Sequence, residues 1–289
     1  MLRFYPITLA LLITTGVWFS SLTHAYYGKD DRRDVYELSG EDLEDADSVV
    51  ALFHYSRVYD LWDGTSALWT VNYGEDCNLC SSERFREQPS GAFCSGVLVA
   101  PDVIATAGHC IKGENIADIR FVFGYRMLDA DTPDPVITNS DIYSGAEVIA
   151  WQVDDTTGSD WALIRLDRIV ENHRVARIRQ SGTISDGQAV HITGYPMGLP
   201  AKFAGNAYVR DNQYRAVFVA NLDAYPGNSG SPVFNSSTHE VEGILVGREG
   251  GELVRQGECY VSRVCPDDGC SGEYSTRTTE FVEHIAWLQ

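Results

Sequence analysis

Three short segments of the chain hold residues able to do nucleophilic chemistry. Ala105-Thr106-Ala107-Gly108-His109-Cys110 sets a histidine directly after a β-type run. Ser159-Asp160-Trp161-Ala162-Leu163-Ile164 opens an apolar run with a carboxylate, and Pro226-Gly227-Asn228-Ser229-Gly230-Ser231-Pro232 flanks a serine with glycines. A serine hydroxyl is a poor nucleophile at neutral pH and needs an adjacent base to take its proton. Histidine suits that role because its pKa lies near working pH. A carboxylate must then fix the imidazole tautomer and stabilise the imidazolium. Backbone N–H groups beside the serine must face the developing oxyanion, and glycine lets the chain turn tightly enough to aim them. Singly, each segment has a plainer reading: a loop, a core or metal-bound histidine, a capping aspartate. Together they are far more specific.

The elements that would position these residues read as strands. From Ser48 onward, short β-type runs such as Val49–Phe53, Gly96–Ala100, Val103–Thr106, Arg120–Phe123, Ala189–Thr193, Arg215–Ala220 and Gly243–Gly247 alternate with turn residues. That is the pattern of barrels and sandwiches. Helical periodicity is scarce until Thr278–Leu288, where Phe281, Ile285 and Leu288 share a face and Thr278 or Thr279 could cap the start. The plain expectation is an all-β protein with a C-terminal α-helix. Residues 26–47 are rich in Asp, Glu and Arg with few large apolar side chains, and are expected to wrap the surface as an extended acidic arm.

Residues 1–25 read as a signal peptide: Arg3 supplies the positive end, Ile7–Phe19 the apolar run and Thr23-His24-Ala25 the cleavage site. The run is short and broken by Thr14, Thr15 and Gly16, which favours cleavage over an uncleaved anchor. The expected destination is secreted, extracellular or periplasmic. Net charge is −19, which argues against nucleic acid or an anionic membrane as partner. Seven cysteines in an exported chain imply disulfides, with one left over. Zinc on Cys77 and Cys80, with Cys265 and Cys270 as further ligands, is the less favoured alternative.

The three segments, in the order His, Asp, Ser, resemble the chymotrypsin/trypsin-like serine peptidase family, over roughly residues 48–289. The resemblance implies two six-stranded antiparallel β-barrels with the cleft between them, and a single peptidase domain over 48–289. It implies a catalytic triad of His109, Asp160 and Ser229, an oxyanion hole from the Gly227 and Ser229 N–H groups, and a Cys94–Cys110 disulfide. It also implies a monomer acting on protein or peptide substrates, with no metal or organic cofactor. Gly227-Asn228-Ser229-Gly230-Ser231-Pro232, Gly194–Pro200, Phe123–Met127 and Gly28–Arg33 are similar to the bacterial glutamyl endopeptidase branch.

Departures from that pattern matter. Asn228 carries no charge, so the ion pair that switches on trypsin after cleavage is missing, and no such zymogen switch is expected. Glutamate-selective relatives use a hydroxyl residue and a histidine where this chain has Ala224 and Leu245, so glutamate preference is not expected. Asp223, six residues before Ser229, stands where trypsin carries the carboxylate that binds Lys or Arg. It is a substrate-specificity candidate for cationic side chains; a loop residue turned away is the other reading. The main alternative function is a catalytically inactive binding or regulatory protein on the same scaffold. Such proteins usually lack a triad residue, and none is missing here.

Overall fold

The fold is seen in a computed structural model that describes residues 26–133, 136–247 and 253–285. Residues 1–25, where a signal peptide is expected, and Leu288 lie outside the described residues. Two closed antiparallel barrels account for most of the chain. The first contains β1 (Val49–His54), β2 (Cys94–Ala100), β3 (Val103–Thr106), β4 (Ile119–Val122), β5 (Ile142–Asp154) and β6 (Ser159–Leu166), paired in the cycle β1-β2-β3-β6-β5-β4. The second contains β7 (Ala189–Gly194), β8 (Lys202–Asp211), β9 (Val217–Ala220), β10 (Pro232–Asn235), β11 (Val241–Leu245) and β12 (Glu273–Arg277), in the cycle β7-β10-β11-β12-β9-β8.

Side chains on a strand point alternately to its two faces. Val50, Leu52, Leu98, Ile104 and Phe121 fill the first barrel, while their neighbours Val49, Ala51, Phe53, Val97 and Val103 turn outward into a second apolar cluster. That cluster also takes in Tyr195, Phe203, Phe234 and Ile244 from the second barrel's strands and loops, so the barrels share a buried layer. Strands buried on both faces read as continuous apolar runs rather than alternating ones. The second barrel's own interior holds Ile192, Val209, Phe218 and Val233.

The arm departs from the expectation. It is not a loose extended wrap: Tyr26–Tyr27 pair in parallel with Val264–Cys265, Arg33–Asp34 pair with Lys202–Phe203, and Gly40–Asp47 forms an α-helix, α1. Three of its charged residues, Arg32, Asp34 and Asp45, are buried and paired rather than solvated. Asp30 takes two hydrogen bonds from the Arg32 guanidinium at 2.9 and 2.7 Å, and Lys202 Nζ donates to Asp34 at 2.6 Å. Such charge-assisted bonds offset the desolvation that composition alone suggests would keep these groups in water.

At the C-terminus a 3₁₀ turn at Thr278–Glu280 leads into a short helix at Val282–Ile285. Phe281 and Ile285 are buried as the periodicity predicts, with Phe281 against Trp161. The Thr278 hydroxyl does not cap the helix; it donates to the Arg179 carbonyl at 2.8 Å.

Cysteine pairing is Cys80–Cys259, Cys94–Cys110 and Cys265–Cys270, with Cys77 outside the three pairs. The zinc alternative fails because three of its four ligands are spent in these bonds. Among the described residues no helix is long and apolar enough to cross a membrane.

Candidate active site

His109 lies in a 3₁₀ turn, Gly108–Cys110, directly after β3, and Asp160 is the second residue of β6. Because β3 and β6 are neighbours, the two meet: His109 Nδ1 is 2.7 Å from Asp160 Oδ2, and the His109 N–H donates to Asp160 Oδ1 at 2.9 Å. The imidazole is thus held at both ring and backbone. A side chain at Gly108 would meet the Gln152 carbonyl at 2.5 Å, so only glycine lets this turn approach β5.

Asp160 is also tied to the other barrel. The Thr276 hydroxyl on β12 accepts from the Asp160 N–H at 3.0 Å and donates to the Asp160 carbonyl at 3.1 Å. Nothing in the local sequence around Thr276 signals that contact.

Ser229 sits in the loop between β9 and β10, bounded by Gly227 (φ +89°) and Gly230 (φ +90°). Both glycines are in the left-handed region, and a Cβ at Gly230 would lie 2.0 Å from the Ser95 carbonyl. The loop is pinned to the first barrel by Ser95, a residue sequence reasoning missed. Ser95 N–H donates to the Ser229 carbonyl at 2.8 Å, and Ser95 Oγ donates to the Gly227 carbonyl at 2.7 Å. The Cys94–Cys110 disulfide joins this end of β2 to the residue after His109. Histidine and serine loops are therefore anchored on the same stretch of β2. Among the described residues, the Gly227 and Ser229 N–H groups have no hydrogen-bond acceptor, whereas those of Asn228 and Gly230 go to the Tyr225 and Leu245 carbonyls. Asn228 is buried, with its Oδ1 near Ser231 Oγ.

Asp223 does not join this group. It is 4% exposed, and its Oδ1 accepts the Tyr27 N–H at 2.6 Å, which sets it beneath the arm. Burial pushes its carboxyl up to about 8; the Tyr27 N–H opposes that rise and the nearby Asp31 adds to it. Ala224 and Leu245 are buried too, with Leu245 in the second barrel's interior.

The raised value carries a stability prediction. Well below 3.8, its ordinary value, Asp223 is protonated in folded and unfolded chains alike. As pH rises from there toward about 8, the unfolded chain releases the proton first and stability falls. Asp223→Asn keeps an oxygen for the Tyr27 N–H but cannot ionise. Its melting temperature is expected to match wild type near pH 3 and exceed it at pH 8, by on the order of a few kcal/mol in stability. Thermal melts across that range check this; parallel curves for the two proteins would overturn it.

Against this geometry, the sequence profile of the trypsin-like peptidase domain family matches residues 94–244. That span is more than half the chain, and the protein belongs to this family. A glutamyl endopeptidase of Staphylococcus aureus is 26% identical over 167 residues, covering 55% of this chain and 48% of the relative. The chain spans about half the length of the curated relatives it matches. Among solved structures, human heparin binding protein superposes with a TM-score of 0.54 at 13% identity, covering 89% of this chain and 95% of that one. A Glu endopeptidase in complex with MPD gives 0.52 at 18% identity, covering 91% and 98%. At these identities the structural likeness establishes the chymotrypsin-like fold alone, on which one neighbour is named for binding rather than for cutting.

Proposed function

We propose that this protein is a secreted serine endopeptidase that hydrolyses peptide bonds through an acyl-enzyme. The observation that carries the reading is the doubly held His109–Asp160 pair, at 2.7 and 2.9 Å, anchored on the same strand end as the Ser229 loop. In the proposed cycle His109 Nε2 takes the Ser229 proton as Oγ attacks the scissile carbonyl. It then gives that proton to the leaving amine, and repeats the exchange with water to release the acyl group. Asp160 orients the ring and stabilises its charged form. The unengaged Gly227 and Ser229 N–H groups receive the oxyanion. Three disulfides fit an oxidising destination for the mature chain after a signal peptide of residues 1–25.

Buried and bonded to the Tyr27 N–H, with its carboxyl pushed well above the ordinary range, Asp223 serves in this reading as an anchor for the arm rather than as a binding site for Lys or Arg. Cleavage after glutamate, the activity named in the relatives, lacks its selecting residues at Ala224 and Leu245.

The nucleophile loop is held by Ser95 and by the Tyr225 and Leu245 carbonyls, with no call on a terminal ammonium. Protein beginning near Tyr26 is therefore expected to cleave a mixed peptide library without further trimming, and to react with a fluorophosphonate probe. Cutting mainly after Lys or Arg would restore Asp223 as a specificity residue, and activity that appears only after trimming near Ser48 would reinstate a zymogen switch. A folded sample that neither cleaves nor labels would favour the inactive, binding-protein reading.

A further inference from the structure

The seam between α1 and the second barrel gathers two imidazoles and several carboxylates far in sequence from the triad segments. His191, the third residue of β7, and His239, in the turn between β10 and β11, both aim at one oxygen of Asp45 on α1. His191 Nε2 is 3.2 Å from Asp45 Oδ2, and His239 Nδ1 is 2.5 Å from the same atom. One turn earlier on α1, Asp42 completes a set with the two histidines in which the ligand atoms all lie within 4.8 Å of one another. Glu41 stands 3.3 Å from His239 Nε2.

We propose that His191, His239 and Asp42 form a binding site for a divalent transition metal of the zinc class. Asp45 is the carboxylate that orients both imidazoles. Two nitrogen ligands and a carboxylate suit zinc, whereas calcium and magnesium prefer all-oxygen sets. Ligating histidines typically give one ring nitrogen to a carboxylate that fixes ring and tautomer. With Asp45 on His191 Nε2 and His239 Nδ1, the metal would fall to His239 Nε2 and to His191 Nδ1, which is 3.2 Å from the Ser236 hydroxyl that it would have to give up.

The imidazoles are built in rather than loose. His191 is 1% exposed and stacked between the rings of Phe203 and Phe234, at 5.0 and 5.1 Å. His239 is held at φ +55°, a conformation costly for a residue with a Cβ. Asp42 is more exposed, and metal binding would draw it from Arg33 to close the set toward the roughly 3.3 Å ligand spacing of tetrahedral zinc, given bonds of about 2.0–2.2 Å.

Charge points the same way. Glu41, Asp42 and Asp45 supply three carboxylates. The cations paired with these carboxylates are Arg33, 3.5 Å from Asp42, and Arg174, 3.8 Å from Asp45 but engaged with Glu44 at 2.7 Å. A divalent cation would neutralise the buried Asp45 environment. A cavity of about 760 Å³ opens beside Asp42 and His191, with Lys29 and Arg84 also on its wall. The metal's role is a staple, fixing the arm helix to the second barrel, distinct from the peptidase chemistry.

The test uses the exported chain, stripped with a chelator and titrated with zinc by calorimetry and with cobalt(II) by visible absorption. Wild type is expected to bind one equivalent of zinc, to show the intense bands of tetrahedral cobalt, and to melt higher with zinc than without. His239→Asn is expected to lose all three responses. Asp45→Asn should bind about 10- to 100-fold more weakly. Asp42→Asn, at a more exposed position, decides the matter if His239→Asn does not fold. His109→Ala should leave the stoichiometry unchanged. No stoichiometric zinc in wild type would overturn the site and leave a metal-free His–Asp–His network. Undiminished binding in both His239→Asn and Asp42→Asn would overturn it equally.

Discussion

Replacing Ser229 by alanine is expected to lower kcat by about a million-fold and to abolish fluorophosphonate labelling, with KM and melting temperature little changed. The size follows from the chemistry: without Oγ no acyl-enzyme can form, and only binding and oxyanion stabilisation remain. The fold should tolerate the change. Structural contacts at this position are made by the Ser229 carbonyl, which accepts from the Ser95 N–H at 2.8 Å and lies 3.7 Å from Cys110 Sγ. Single-turnover and steady-state assays on one peptide, beside a thermal melt, separate lost chemistry from lost structure. A variant within tenfold of wild type would remove Ser229 as nucleophile, and with it the proposed mechanism.

Asp160→Asn should cost about 10⁴-fold in kcat at neutral pH while leaving Ser229 in place. The amide oxygen can still accept the His109 N–H that Asp160 Oδ1 accepts at 2.9 Å, so the turn keeps its backbone anchor. The other contact, 2.7 Å from Oδ2 to His109 Nδ1, then meets an amide N–H donor. That forces the proton onto Nε2, and a ring protonated there cannot take the serine proton. The backbone bonds between Asp160 and the Thr276 hydroxyl persist, so any loss reports on the side chain. A drop of only a few-fold would mean that the imidazole is oriented by something other than this carboxylate.

The difference between what could and could not be read from the sequence follows contact distance along the chain. Gly227 and Gly230 announce a tight turn around Ser229 because their positive φ values are a local demand. The strand runs announce a β scaffold because strands such as β1, β2 and β3 are apolar and buried on both faces, and the chain order of His109, Asp160 and Ser229 narrows the chemistry. Charge composition misled where it met long-range pairing. Arg32, Asp34 and Asp45 look solvated in sequence yet are 2–3% exposed. Their burial depends on partners such as Lys202 and His191, 168 and 146 residues away from Asp34 and Asp45.

By itself, then, the sequence determined the residues able to do the chemistry and the all-β class of their scaffold, because turn geometry and short apolar strand runs are encoded over a few neighbouring positions. Only the tertiary structure decided that Ser95 clamps the serine loop across 132 residues and that Thr276 braces Asp160 from the opposite barrel. It also decided that Asp223 lies under an arm whose Tyr27 N–H comes from 196 residues away. The energy of a buried polar group depends on whether a partner desolvates with it, and that partner is chosen by the closing of two barrels, not by adjacent residues.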